Sequence, residues 1–425
     1  MIRITKVLGL LLLVGLLPVF CVTTVQVDYR IFPGLYEMDG HWGALLAATD
    51  GKVYAGLAYH GGDGHLVYYD SKIDQMHDVG NLTVLSGESG LGVGPQSKIH
   101  CKIGEGADGR IYFGTHGGIW FNYARFATKE GYPGAHWMAY DPKTDRVEDF
   151  GIGPRYQGIN TGSYDPLFNR IYGMTHPRGE FVYYDVAKRR AVNKGRVNNW
   201  ESICRTLAID DQGNVFGGFG TGKIFKYDPR TDEIRELSLQ VPMRSKGVSL
   251  GRDYNKSETA FRVAVWDKKT KKFYGIDESA TLLFSFDPHS GKEGVIRELG
   301  QLAIPDLANG RDVPYATLSL TLGHDRKLYY GAAGREFDYA SAKEGAAAHL
   351  ITYDLDSSRT TDLGEMRLPD GRRVLGTNAA DTGPDGTIYL VGAIEVRAEE
   401  GKPLEAAGKI GATYFRLALL IYKPH

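Results

Sequence analysis

The stretch Asp108-Gly109-Arg110-Ile111-Tyr112-Phe113-Gly114-Thr115-His116 decides the fold. Asp-Gly supplies the positive-φ residues of a tight hairpin, and Ile-Tyr-Phe-Gly is a short β-prone run closed by a glycine. The phrase returns along the chain with its aromatic at Tyr54, Tyr112, Tyr172, Phe216, Tyr274, Tyr329 and Tyr389. Asp50-Gly51, Gln212-Gly213 and Asp385-Gly386 are matching turns. A second anchor follows each time: Tyr69-Asp70, Tyr140-Asp141, Tyr184-Asp185, Tyr227-Asp228, Phe286-Asp287 and Tyr353-Asp354, with Tyr422-Lys423-Pro424 in the seventh place. Pro142, Pro229 and Pro288 stop the strand after three of these anchors, because proline cannot continue a ladder.

Units of four short strands at intervals of roughly 40 to 70 residues predict an all-β chain, a seven-bladed β-propeller of four-stranded antiparallel blades. The last unit ends at its third strand. Residues Thr24–Phe32, with the alternation Val25-Gln26-Val27-Asp28-Tyr29, are expected to supply the missing strand, so that the ring is closed by an N-terminal strand and loses two exposed edges. Residues 23–425 then form a single domain. Residues 1–22 place Arg3 and Lys6 ahead of the apolar run Val7–Leu17, the layout of a secretory signal or an N-terminal anchor. The expected location is secreted, periplasmic or at the cell surface, with membrane contact only through that segment if it is uncleaved.

Lys+Arg 50 against Asp+Glu 51 leaves a net charge of −1, so no basic field exists to draw nucleic acid and any charged ligand must be recognised locally. Three cysteines, one of them Cys21 in the leader, cannot form a disulfide framework; Cys101 and Cys204 read as small buried residues.

In a propeller, the loops before each innermost strand and after each second strand meet at one end of the channel. The second strands of the first three blades end at His60, His116 and His176, the last followed by Pro177-Arg178. The innermost strand of blade 2 begins Lys98-Ile99-His100, and that of blade 4 begins Ile203-Cys204-Arg205. Matching positions in blades 5 to 7 carry Gly275, Asp277, Ala332 and Ala393. The expected rim is therefore basic on one side, suited to an anionic polysaccharide or oligosaccharide such as a uronate or sulfated sugar. Each histidine also has a plainer reading, as a hydrogen-bonded core or loop residue. Trp200 and Glu201 read either as a sugar-stacking face with an acceptor or as packed residues. Tyr164 reads either as a site residue or as the residue ending an innermost strand, like Ile209 in blade 4. No cofactor is required, and a structural divalent metal stays possible without any spacing that argues for it.

At Lys98-Ile99-His100, Asp108–His116, Tyr164-Asp165-Pro166 and Ile171–Arg178, the chain resembles the seven-bladed propeller polysaccharide lyases, in character the ulvan lyases and more distantly the oligogalacturonate lyases. The resemblance implies cleavage of a uronate-containing polysaccharide by β-elimination, with His100, His116, Tyr164 and Arg178 as the catalytic group. His60, His176, Arg205 and Trp200 are the expected substrate-binding residues. Tyr156, in the loop before the blade 3 strand, rivals Tyr164 for the tyrosine. The late-blade histidine cluster that holds manganese in oligogalacturonate lyases finds no counterpart after His349.

β-Elimination needs the uronate carboxylate neutralised, a base for the C5 proton and an acid for the departing O4. Arg178 with a protonated His116 is expected to do the first, and Tyr164 with His100 to move the protons, given a phenol pKa lowered by neighbouring cations. A non-catalytic carbohydrate-binding or scaffold propeller is the main alternative. A lactonase-like hydrolase with a carboxylate-lined calcium site is a third.

Overall fold

The structure is a computed structural model and describes residues 23–60, 62–117, 131–197, 205–218, 222–242, 261–277, 282–302, 317–332, 347–396, 408–410 and 413–424. Seven antiparallel sheets stand in chain order, each starting from an innermost strand: Gly40–Ala47, Gly104–Glu105, Gly158–Asp165, Ala208–Ile209, Phe261–Asp267, Leu320–Leu322 and Val374–Thr382. The chain is a seven-bladed β-propeller. Among the described residues the single helical turn is Leu82–Leu85, between blades 1 and 2.

The repeated Tyr-Asp phrase forms for local reasons. In Tyr140-Asp141-Pro142-Lys143-Thr144-Asp145, the Asp141 carboxylate accepts from the Lys143 backbone N–H at 2.9 Å, and the Tyr140 hydroxyl donates to Asp145 at 2.8 Å. Asp145 sits at φ 54°, the left-handed conformation an acidic side chain tolerates. Tyr69 with Asp74 and Tyr227 with Asp232 build the same turn. These contacts all lie within five residues, which is why the phrase is visible in the sequence.

Packing between blades explains the glycines that follow the second-strand aromatics of blades 1 and 2. A Cβ on Gly56 would come within 2.6 Å of Ile99, and one on Gly114 within 2.6 Å of Ile159, each on the next blade's inner segment. The sheets approach too closely there for any side chain. Their apolar cores accordingly lie between neighbouring blades, as in the cluster of Tyr112, Phe113, Trp137, Ile159 and Ile171 joining blades 2 and 3.

Ring closure uses the N-terminal segment twice. Asp28–Ile31 runs antiparallel to Thr413–Tyr422 as the outer strand of blade 7. Thr24–Gln26 continues onto blade 6, parallel to its outer strand Arg359–Arg367. Val27 is the hinge between them: its N–H donates to Arg367 O at 2.9 Å, and its side chain is buried with Met366, Leu368 and Leu420. One segment thus covers the edges of two blades.

Candidate active site at one end of the channel

The inner segment of blade 2 meets its second strand at a bridge between Lys98 and His116, which brings His100 beside His116. Five rings from three blades then stand in series. His60 meets Trp42 edge-on with centroids 6.1 Å apart. Trp42 stacks on His100 at 5.4 Å, His100 lies 5.6 Å from His116, and His116 stacks on His176 at 5.5 Å. The three histidines read from the ends of second strands and the one read from the start of the blade 2 inner strand therefore converge.

Their hydrogen bonds fix their chemistry. His100 Nδ1 lies 2.7 Å from the backbone oxygen of Asn160. A carbonyl only accepts, so Nδ1 carries the proton and Nε2 bears the lone pair. His116 is held in the same tautomer through the Gly117 carbonyl, and its Nε2 has no hydrogen-bond partner among the described residues; nor does the Asn160 side-chain amide nitrogen. Burial, reinforced by Lys98 and other nearby basic groups, pulls His100 and His116 well below the usual imidazole value and His176 to about 3. All three are neutral at pH 7. Burial makes a charged His116 ring costly, which disfavours the expected role of a protonated His116 as a carboxylate clamp.

Positive charge comes instead from Lys98 and Arg205. Lys98 is 1% exposed, and burial followed by repulsion from Arg205 brings its ammonium down to about 7. Its Nζ lies 5.4 Å over the Trp42 ring and 3.5 Å from His60 Nε2, while His60 Nδ1 is 2.8 Å from Asp39. The Asp39 carboxylate accepts from Nδ1, which leaves Nε2 to accept from Lys98. Lys98, Trp42, Asp39 and Asn160 were not among the candidates; for Lys98 a signal existed, since it shares a strand face with His100 two residues on.

A second polar network sits behind this one. Thr115 and Tyr132 both donate to Gln96 Oε1 at 2.7 Å, and Gln96 donates to Glu88 at 2.8 Å. His136 bridges Glu88 at 3.0 Å and Asp149 at 2.9 Å. Burial alone would lower this imidazole, but the two carboxylates outweigh it and raise it to about 9. His136 is thus a fixed cation tying blade 2 to the loop before it, and it holds the strand that carries Thr115 and His116.

The other expected residues do not join the cluster. Tyr164 pairs with Ile171 while Gly158 pairs with His176, so six residues, about 20 Å of strand, separate it from the histidines. It stacks on Tyr112 at 4.5 Å and donates to Asn169 at 2.8 Å. Burial, then Tyr112 and Asp108, push its phenol upward, the reverse of the shift a base needs. Tyr164 ends its strand and braces the turn that follows it. Arg178 lies at the histidine end but is exposed and lines a cleft between blades 2 and 3 rather than the ring series. Tyr156 is also at that end, at φ 60°, with its N–H bonded to Pro133 O at 3.0 Å. Trp200, Glu201 and Cys204 lie outside the described residues, as do residues 1–22. In blades 5 to 7, Asp277, Ala332 and Ala393 are buried. Among the described residues no group of three or more His, Cys, Asp or Glu side chains is placed to hold a metal ion, and no helix is long and apolar enough to cross a membrane.

No family model matches the chain, and no curated protein matches it in sequence. Solved structures do match in shape. A chain of the mitotic checkpoint complex aligns with TM-score 0.53 and 12% identity over 97% of this chain and 98% of its own. A fungal alcohol oxidase of the AA5 family in complex with copper aligns with TM-score 0.55 and 12% identity over 91% of this chain and 75% of its own. The extracellular domain of the hybrid two component system BT4673 from B. thetaiotaomicron aligns with TM-score 0.55 and 14% identity over 94% of this chain and 40% of its own. Proteins so different in kind, at such identities, share one thing with this chain, the β-propeller fold.

Proposed function

We propose that the protein cleaves a uronate-containing, anionic polysaccharide by β-elimination at the histidine end of the channel. The observation that carries the reading is the state of His100: neutral, with Nδ1–H donated to Asn160 O and a lone pair on Nε2, beside the cations Lys98 and Arg205. Arg205 pairs with the substrate carboxylate and makes C5–H acidic. His100 Nε2 takes the C5 proton; the electron pair becomes the C4–C5 double bond as the C4–O4 bond breaks. O4 receives a proton directly from the Lys98 ammonium, which is positioned by His60 Nε2, the His60 ring being held through Nδ1 by Asp39. Both transferred protons re-equilibrate with solvent, so no oxidant or cofactor enters the balance.

Purified protein incubated with ulvan, polygalacturonate, heparan or alginate is expected to release an unsaturated uronate, read by its ultraviolet absorbance. A flat trace on all four sinks the lyase reading. With a neutral base and a lysine acid whose pKa is about 7, the rate falls as pH rises through 7, and Lys98→Arg shifts that limb to higher pH.

A glycan-binding propeller without cleavage is the second reading, favoured by the distance between Tyr164 and the histidines. Calorimetric binding of one of these polymers without product, unchanged in His100→Ala, supports it.

A further inference from the structure

On the same end of the molecule, outside the ring series, a cleft of about 340 Å³ opens between the outer part of blade 2 and blade 3. Two guanidinium groups flank it, Arg155 at the end of the strand Arg146–Arg155 and Arg178 in the turn after His176. Both are exposed, and neither makes a hydrogen bond or ion pair among the described residues. Between them is a built polar wall. Gln157 and Asn193 donate to one oxygen of Glu180 at 2.7 and 2.8 Å, and Thr175 locks Gln157 from behind at 2.7 Å.

The floor is Trp137, 1% exposed, whose indole N–H has no acceptor among the described residues. A Cβ on Gly153 would lie 3.6 Å from that nitrogen, and Gly153 itself lines the cleft, so glycine there leaves the N–H facing the opening. A buried donor without an acceptor costs stability unless something in the cleft accepts from it. Pro154 and Val182 add apolar surface beside it.

We propose that this cleft binds a single anionic sugar residue, its carboxylate or sulfate held between Arg155 and Arg178, one hydroxyl accepting from Trp137 Nε1 and another donating to the second oxygen of Glu180. Paired guanidiniums match an oxyanion, and a mixed polar and apolar wall matches a sugar ring; a bare anion would use only the first. That the ligand is part of a longer anionic glycan rests on the reading of the preceding subsection. The position supports the extension. His176-Pro177-Arg178 joins the cleft to the ring series, and Gly158, next to Gln157, packs its backbone against the His116 ring.

Titration of the full chain with D-glucuronate, followed by calorimetry and tryptophan fluorescence, tests the site. Saturable millimolar binding is expected, weakened about tenfold in Arg155→Gln and again in Arg178→Gln, with the thermal midpoint unchanged because both side chains are exposed. Trp137→Phe removes the fluorescence response and lowers affinity. D-glucose and inorganic sulfate bind more weakly than glucuronate, and His100→Ala keeps the binding. Absence of saturation, equal affinity in the double arginine variant, sulfate binding as tightly as glucuronate, or loss of binding in His100→Ala overturns the proposal. Since no cleavage is measured, an inactive but glucuronate-binding protein would end the lyase reading and leave this site standing.

Discussion

The two ends of the strands in blades 2 and 3 carry different aromatic residues, tyrosines at one and histidines at the other, and bond differently. At one end, Tyr112 donates to Asp108 at 2.8 Å and Tyr164 to Asn169 at 2.8 Å, each partner within five residues. At the other, His100, His116 and His176 are buried and neutral, and His116 Nε2 and the Asn160 amide nitrogen have no partner among the described residues. A closed local hydrogen bond marks a turn that holds itself together. A buried polar atom left open has a free-energy cost that folding alone does not repay, and at the histidine end such atoms gather beside the cations Lys98 and Arg205.

The sharpest way to break this comparison is to exchange roles between the ends. His100→Ala is expected to lower the elimination rate by about a thousandfold, the range for removing a general base, whereas Tyr164→Phe leaves it within about twofold. Initial rates by ultraviolet absorbance decide the matter, and equal losses would erase the distinction between the ends.

Next in size is the support behind the histidines. His136→Ala leaves Glu88 and Asp149 facing each other without their cation and is expected to cost about 3 kcal/mol or more, measured by chemical denaturation. Gly158→Ala, which would drive a Cβ into the His116 ring, is expected to cost about 2 kcal/mol and to displace the ring series.

The pH dependence separates two buried bases with opposite shifts. His136, raised to about 9 between Glu88 and Asp149, binds more proton in the folded than in the unfolded state between about 6.5 and 9, so its stabilisation is full below that window and is lost as pH rises through it. Lys98, lowered to about 7 among His60, Asp39, Arg205, His100 and His116, binds less proton when folded between about 7 and 10.5, so its contribution improves as pH rises. The slopes oppose each other between pH 7 and 9. Lys98→Met is expected to uncover the His136 slope, with stability falling more steeply toward pH 9 than in the unaltered chain; an unchanged slope counts against a charged, strained Lys98. Smallest of all, Tyr164→Phe costs about 1 kcal/mol by removing the bond to Asn169.

Much of the molecule was legible because it is written locally. The Tyr-Asp turns close through bonds two and five residues away, and the second-strand glycines recur because an added Cβ there would strike either the next blade, as at Gly56 and Gly114, or the glycine's own sheet, as at Gly217 and Gly275. From these the sequence by itself determined the seven blades, the use of Thr24–Phe32 in closing the ring, and the meeting of His60, His116 and His176, which end the second strands of successive units, with His100, which begins the inner strand of the second. Only the tertiary structure decided the rest. The closing segment divides between blades 6 and 7 because Val27 finds its core between them. Tyr164 falls at the far end because position along a strand, and not closeness in sequence, sets which end of the channel a residue reaches. Arg178 turns into the cleft with Arg155, and the histidines lose their charge, because burial and neighbouring cations are properties of blades packed side by side that no single repeat contains.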